Sequence, residues 1–292
     1  MTIADPANVE LIASGGAFVD LSSWRKVAVS GAEALEWLDD LVSADIRDLT
    51  PGKARRSLLL SPTGRVRAEF TVTAQGGTLY LLQDPAQTND IGALLGPYVL
   101  SSDVVLEDRS GHLALFSFPA RSEPPSVPGA SFSTPSCAGR GGVDLIASSE
   151  NRGVVRSALA EAYREATMED LEAWRVISGI PRVGVDVSGE DLPQEGGLED
   201  AVSFDKGCFV GQEAVAKVRN LGHPRRVLRR LHAEGSVAVG DRILHDGREA
   251  GEVTSAADAA AGSVALARVR WELRAGPFIT QHGIDLIAVD PA

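Results

Sequence analysis

Cysteine is scarce in this chain: Cys137 and Cys208 are the only two in 292 residues, too few for a disulfide framework of the secreted type. No C-x-x-C occurs, and the five histidines are scattered without the i,i+4 spacing of a zinc helix, so no metal site is expected. No run of eighteen or more uncharged apolar residues is present, which argues against a membrane-spanning helix or a membrane partner. Positive charge is also short, with 28 lysines and arginines against 40 acids and a net charge of −12. Gripping a phosphate backbone needs the opposite balance, so no direct nucleic-acid partner is expected. The phosphate-cradling patterns G-x-x-x-x-G-K-[ST] and G-x-G-x-x-G and the hydrolase pattern G-x-S-x-G are missing too. Met1 to Glu10 carries two acids where a signal peptide has bases and then an apolar run, so a cytoplasmic location is expected.

What is present is an ordinary globular composition, 44% hydrophobic and 23% charged, long enough for one large domain or two to three small ones. Ser30 to Ser43 predicts a helix, with Ser30 and Glu33 at capping-box spacing and Leu35, Leu38 and Val42 on one face. After the turn Ser61-Pro62-Thr63-Gly64, Val66, Ala68, Phe70 and Val72 alternate with Arg67, Glu69, Thr71 and Thr73. That is a strand with one dry and one wet face, and Leu79 to Leu82 returns antiparallel to it. A helix is expected to open at Asp84-Pro85, with Ile91, Leu94, Leu95 and Tyr98 at helical spacing and Pro97 kinking or ending it, then strands at Val104–Leu106 and Leu113–Phe118. Pro119 to Cys137 holds five of the fifteen prolines and reads as a loop, with Cys137 a surface or half-buried thiol that has no base near it in sequence. A strand over Val143–Ala147 and a helix over Val154–Tyr163 follow. Thr167 and Asp170 then cap a helix that Gly179 and Pro181 end. From Val227 onward, short strands broken by turns predict a small β-barrel.

Functional chemistry is densest in Asp205-Lys206-Gly207-Cys208-Phe209-Val210-Gly211-Gln212-Glu213. Val210, Ala214, Val218 and Leu221 predict a helix from Gly211 with Cys208 just ahead of it. A helix N-terminus and the nearby Lys206 both favour a thiolate, while Glu213 opposes it. Gly207 and Gly211 suit a tight loop or a close backbone approach. On spacing alone, a structural cysteine and a working thiol both stand, and no histidine nearby in sequence supports a papain-like nucleophile.

That stretch resembles the signature K-G-C-[YF]-x-G-Q-E of the YgfZ/GcvT family, the folate-binding relatives of the glycine-cleavage T-protein. Arg175-Val176-Ile177-Ser178-Gly179-Ile180-Pro181 is similar to the family's R-[IV]-E-A-G-I-P, and Pro193-Gln194-Glu195 to its P-x-E. Gly247 to Ser255 is similar to G-x-x-x-G-x-V-T-S. Ser43-Ala44-Asp45-Ile46 and Leu58 to Gly64 resemble N-terminal family patterns. The resemblance implies an α+β molecule in three parts around a central opening: an N-terminal α+β domain (1–118), a ferredoxin-like middle carrying the signature (119–223) and a C-terminal β-barrel (224–292). It implies tetrahydrofolate or a derivative in that opening, with Glu69, Arg67, Gly211, Gln212 and Glu213 as its contacts. It also implies a role supporting iron–sulfur enzymes or their assembly machinery, and through them tRNA modification, with Cys208 as the working thiol and Lys206 beside it. A folate-dependent aminomethyltransferase is the alternative. Ala68 and Glu69 stand where T-proteins carry paired aspartates, and Ile177 stands where the family glutamate would meet a pterin amine. Both departures shift weight from folate chemistry onto Cys208.

Overall fold

The computed structural model describes residues 4–100 and 102–289; the outermost ends of the expected first and last portions, 1–3 and 290–292, lie outside the described residues, as does Ser101. The chain begins with α1 (Pro6–Ala13), β1 (Ala17–Asp20), β2 (Arg25–Ser30), α2 (Ala34–Leu41), β3 (Ala54–Leu60), β4 (Val66–Gln75), β5 (Thr78–Gln83) and α3 (Ile91–Leu95). It continues with β6 (Val105–Asp108), β7 (Leu113–Phe118), β8 (Ala130–Pro135), β9 (Val143–Ser148), α4 (Arg152–Ala160), β10 (Arg164–Ala166), α5 (Met168–Ile177) and α6 (Gln212–Leu221). The last portion holds β11 (Arg226–Ala233), β12 (Arg242–His245), β13 (Arg248–Ala259), β14 (Gly262–Arg270), β15 (Phe278–Thr280) and β16 (Asp285–Val289).

These strands make two five-stranded sheets, ordered β3-β4-β5-β2-β6 and β10-β1-β7-β9-β8, and a closed barrel, β11-β14-β13-β12-β15-β16. In the first sheet, the alternation in β4 turns Ala68, Phe70 and Val72 onto a core shared with Leu38 of α2 and with Ile91 and Leu95 of α3. The second sheet is buried on both faces. Phe18, Phe116 and Leu145 meet Val155 and Leu159 of α4, while their neighbours Val19, Leu115 and Ile146 meet Leu171 and Trp174 of α5. The barrel encloses Leu231, Ile243, Val253, Ala267 and Phe278. Among the described residues, no helix is long and apolar enough to cross a membrane.

Several expectations change. The expected boundary after residue 118 does not divide the sheets, because β1 and β7 belong to the second one: Ala17 pairs in parallel with Arg164, and Val19 antiparallel with Ser117. The first sheet is therefore built from a stretch that the second sheet encloses in sequence. Thr71 and Thr73 are buried instead of wet, because that face of β4 meets the second sheet, where Thr134 Oγ1 lies 2.7 Å from Thr73 Oγ1. The proline-rich segment expected to be loop contains β8, an edge strand ending at Pro135, where the lost N–H costs no ladder bond. The Ser30–Glu33 capping box does not form. Ser30 ends β2, and the Glu33 carboxylate accepts instead from the Asp103 backbone N–H at 2.7 Å. On α6 the buried residue is Val215, while Leu221 is 82% exposed.

One polar cluster joins α5, the following loop and the barrel. The Arg175 guanidinium donates to Asp186 at 2.7 Å, to the Ile180 carbonyl at 3.0 Å and to Ser255 Oγ of β13 at 2.8 Å. Asp186 also accepts from Ser255 and Thr254 and from the Arg182 backbone N–H. The Asp186 side chain is 0% exposed and that of Arg175 is 7% exposed. With every acceptor engaged the buried pair is tolerated, but removing one partner strands the other. Asp186→Ala should therefore lower unfolding stability by about 3–5 kcal/mol in urea denaturation; a loss within the range of an ordinary surface substitution would show that the cluster does not hold the barrel.

Candidate functional site

A cavity of about 450 Å³ lies where the first sheet, the segment after β8 and α5 converge. Trp24, Leu82, Leu171 and Ile180 give it apolar walls, and Glu69, Gln87, Arg56, Asp84, Arg182 and Glu172 supply polar groups. Glu69 sits on β4, whose alternation aims it away from the Ala68–Phe70 core. Its main chain is gripped by the buried Gln87 side chain, which accepts from the Glu69 N–H at 2.9 Å and donates to its carbonyl at 2.8 Å. Its carboxylate is ion-paired with Arg56 of the adjacent β3. Arg56 also reaches Asp200 at 3.2 Å; burial works against its charge, but Glu69 and Asp200 outweigh that and raise its pKa. On the far wall, Arg182 bridges Asp84 at 2.7 Å and Glu172 at 3.2 Å. Two lining donors, Trp24 Nε1 and Arg56 Nη2, are buried without a hydrogen-bond partner.

Cys137 lines the same cavity. Its backbone N–H donates to the buried Asp144 at 2.8 Å, and burial, then the Asp144 charge, push the thiol well above its usual pKa. Asp144 is itself raised by burial. This thiol therefore stays protonated at neutral pH. Sequence reasoning passed over Cys137 as a half-buried thiol without a partner, because the strand pairing of β8 with β9 is what brings Asp144 to it. Gln87 carried no signal at all in sequence, and Arg56 only that of a charge on a strand.

The signature stretch folds differently from its chemistry on paper. Lys206 is not beside Cys208 as an available charge. Its ammonium is fully buried, with Asp39 Oδ1 at 3.0 Å, the carbonyls of Val42 and Ala44 at 3.0 and 2.9 Å, and the Asp39 carbonyl as a fourth acceptor. It caps the C-terminal end of α2, and burial lowers its pKa against the pull of Asp39. Phe209 is buried with it. Gly211, at φ +82°, opens α6, and a Cβ there would lie 2.4 Å from the Ser61 carbonyl oxygen. Gly64 on the facing turn is at φ +77°, and a Cβ on it would lie 2.9 Å from Ala214 Cβ. The two glycines let the signature loop and the β3–β4 turn interlock.

Cys208 itself is exposed. Of the expected folate contacts, Glu69 lines the inner cavity, while Arg67, Gly211, Gln212 and Glu213 line neither it nor the larger cavity beside it. Arg67 and Glu213 are exposed, and Arg65, two residues before Arg67, donates to the Glu190 carbonyl at 2.7 Å. Ile177 packs with Val264, Leu266 and Leu228 against the barrel. Among the described residues, no group of three or more histidine, cysteine or acidic side chains could hold a metal ion.

The profile of the GCVT N-terminal domain matches residues 4–118. The tRNA-modifying protein YgfZ of Serratia proteamaculans is 25% identical over 272 residues, covering 84% of this chain and 82% of that protein. In sequence and in fold the chain is similar to members of the YgfZ/GcvT family. A chloroplastic protein of Arabidopsis thaliana, named for a transferase, is 22% identical over 283 residues; the match spans 86% of this chain but 64% of that protein's length. The glycine cleavage system aminomethyltransferase T of Bartonella henselae shares the fold, with a TM-score of 0.82 over 100% of this chain and 91% of that one at 17% identity. The YgfZ/GcvT signature is thus seen here as a loop fastened at Lys206, Phe209 and Gly211, with its cysteine left free.

A thiol reagent at mildly alkaline pH should label one cysteine quickly in the folded protein and the second only on unfolding. The fast phase should vanish in Cys208→Ser and persist in Cys137→Ser. Fast labelling that survives Cys208→Ser would mean that Cys137 is the open thiol.

Proposed function

We propose that this chain is a cytoplasmic, folate-binding accessory protein that supports iron–sulfur enzymes, and through them tRNA modification, with Cys208 as its working thiol. The observation that carries this reading is the division of labour in the signature. Lys206, Phe209 and Gly211 each have a structural task, whereas Cys208 is held in solvent on a fastened loop with no task in the fold. Such a thiol can ligate or attack a sulfur- or iron-bearing species brought by a partner.

The inner cavity suits a reduced folate. A pterin has two apolar faces and a polar edge, and the cavity offers the Trp24, Leu82 and Leu171 walls, the Glu69 carboxylate and the unpartnered Trp24 Nε1 and Arg56 Nη2. Tetrahydrofolate bound there would supply a carrier for one-carbon units. The aminomethyltransferase reading has Glu69 at the cavity wall in its favour. Its ion pair with Arg56 already engages that carboxylate, however, and so favours the accessory role.

Titration calorimetry with tetrahydrofolate should show one site, weakened by roughly tenfold or more in Trp24→Phe, which removes a buried donor. Cys208→Ala should leave that binding intact and abolish rescue of an iron–sulfur-dependent tRNA-modification defect. Full rescue by Cys208→Ala would remove the thiol from the function. Turnover of a methylamine donor that is lost in Glu69→Gln would replace the accessory role with the transferase.

A further inference from the structure

A larger cavity of about 1300 Å³ opens between the barrel, the flanks of the signature stretch and the first sheet. It adjoins the inner cavity, and Arg56, Arg140 and Asp200 belong to the walls of both. In a chain of net charge −12, seven arginines line it against Asp45, Glu199, Asp200 and Asp205. Three of the seven are engaged: Arg55 with Asp48, Arg56 with Glu69 and Asp200, and Arg140 with Asp200. Among the acids, Asp45 is held by Arg47 and Asp200 by its two arginines.

Four arginines remain, Arg219, Arg229, Arg230 and Arg274, none with a carboxylate within ion-pair distance among the described residues. They are positioned all the same. The Arg219 guanidinium lies 4.0 Å from the centre of the Phe204 ring, and that of Arg274 lies 3.7 Å from the centre of Trp271, which stacks on His223 at an interplanar angle of 4°. Stacking on a ring fixes the plane of a guanidinium; Arg274 Nη1 also donates to the Trp271 carbonyl at 2.7 Å, which leaves the rest of its N–H edge for an oxyanion. The Arg230 stem runs over Gly179, where a Cβ would lie 3.0 Å from Arg230 Cδ. Arg229 Nε and Arg230 Nε are both buried without a hydrogen-bond partner. Desolvated guanidinium donors left without an acceptor are a cost to the fold that a bound anion removes.

We infer that this vestibule binds an extended polyanion, a chain bearing two or more carboxylate or phosphate groups, held by Arg219, Arg229, Arg230 and Arg274. Extension follows from the arrangement: Arg219 stands on α6, Arg229 and Arg230 on β11, and Arg274 beyond β14, so a single small anion cannot engage all four walls. A long nucleic acid is disfavoured, since the rest of the molecule repels it. The chemistry fits two sources, an anionic tail on the molecule that fills the inner cavity or a separate polyphosphate.

The test is calorimetric titration of the full chain with tri-γ-glutamate and with inorganic tripolyphosphate at low and high salt. At least one should bind, with affinity falling roughly tenfold at high salt, as screened charge contacts require. Arg229→Gln combined with Arg230→Gln should weaken that binding by roughly tenfold or more, whereas Arg248→Gln on the exposed barrel surface should not. Circular dichroism melting checks that the double variant is folded. Absence of binding by both probes, or equal binding by the folded double variant, would overturn the assignment. Where a probe binds, comparing mono- and pentaglutamyl tetrahydrofolate separates the sources: a tighter pentaglutamyl form assigns the vestibule to the tail, and equal affinities assign it to a separate anion. Failure of both folates while tripolyphosphate binds would sink the folate reading and leave the vestibule standing.

Discussion

The buried pair of Arg175 and Asp186 is the constraint on which the rest of the arrangement depends. A guanidinium and a carboxylate withdrawn from water are tolerable only if nearly all their hydrogen-bonding capacity is met. Here it is met by groups from three places at once: the end of α5, the loop after it, and Thr254 and Ser255 on the barrel. The charge therefore fixes where the barrel sits. It also fixes the course of the Ile180–Val183 segment, which forms one side of the inner cavity. Two family motifs far apart in sequence turn out to be halves of one joint.

The signature stretch follows the same economy. A lysine between a carboxylate and three helix-end carbonyls, and two glycines pressed together across a turn, position a short loop without using its cysteine. Lys206 carries a charge in a fold-making role, so charge in a motif does not by itself mark catalysis. Cys208 lines neither cavity, whereas the ion-paired carboxylate of Glu69 lines the inner one.

Much of this was legible in sequence where short-range patterns govern it. The alternation of β4, the Thr167–Asp170 cap of α5, its arrest at Gly179 and the barrel with its turn spacing all depend on residues within a few positions of each other. What escaped depends on distant partners. The wet face of β4 was read from polarity, but Thr73 meets Thr134, sixty-one residues on. Cys137 gained its carboxyl neighbour only through strand pairing, and Lys206 found its acceptors on α2 and the residues just after it, more than 160 residues earlier. Family resemblance supplied the architecture, whereas of the folate contacts drawn from it only Glu69 lines a cavity.

The pairing of β1 has a consequence for how this chain acquires its structure. Its two neighbours are drawn from residues near 117 and near 165, so the strand nearest the start of the chain gains its second partner only after more than half of the polypeptide. The first sheet, by contrast, closes entirely on residues between 25 and 108. On a ribosome, that inner sheet can therefore mature early, while β1 has at most one of its two partners until β10 is made. Assembly is nested rather than sequential, and the exposed interval is the one in which such a chain is open to chaperones or to misassembly.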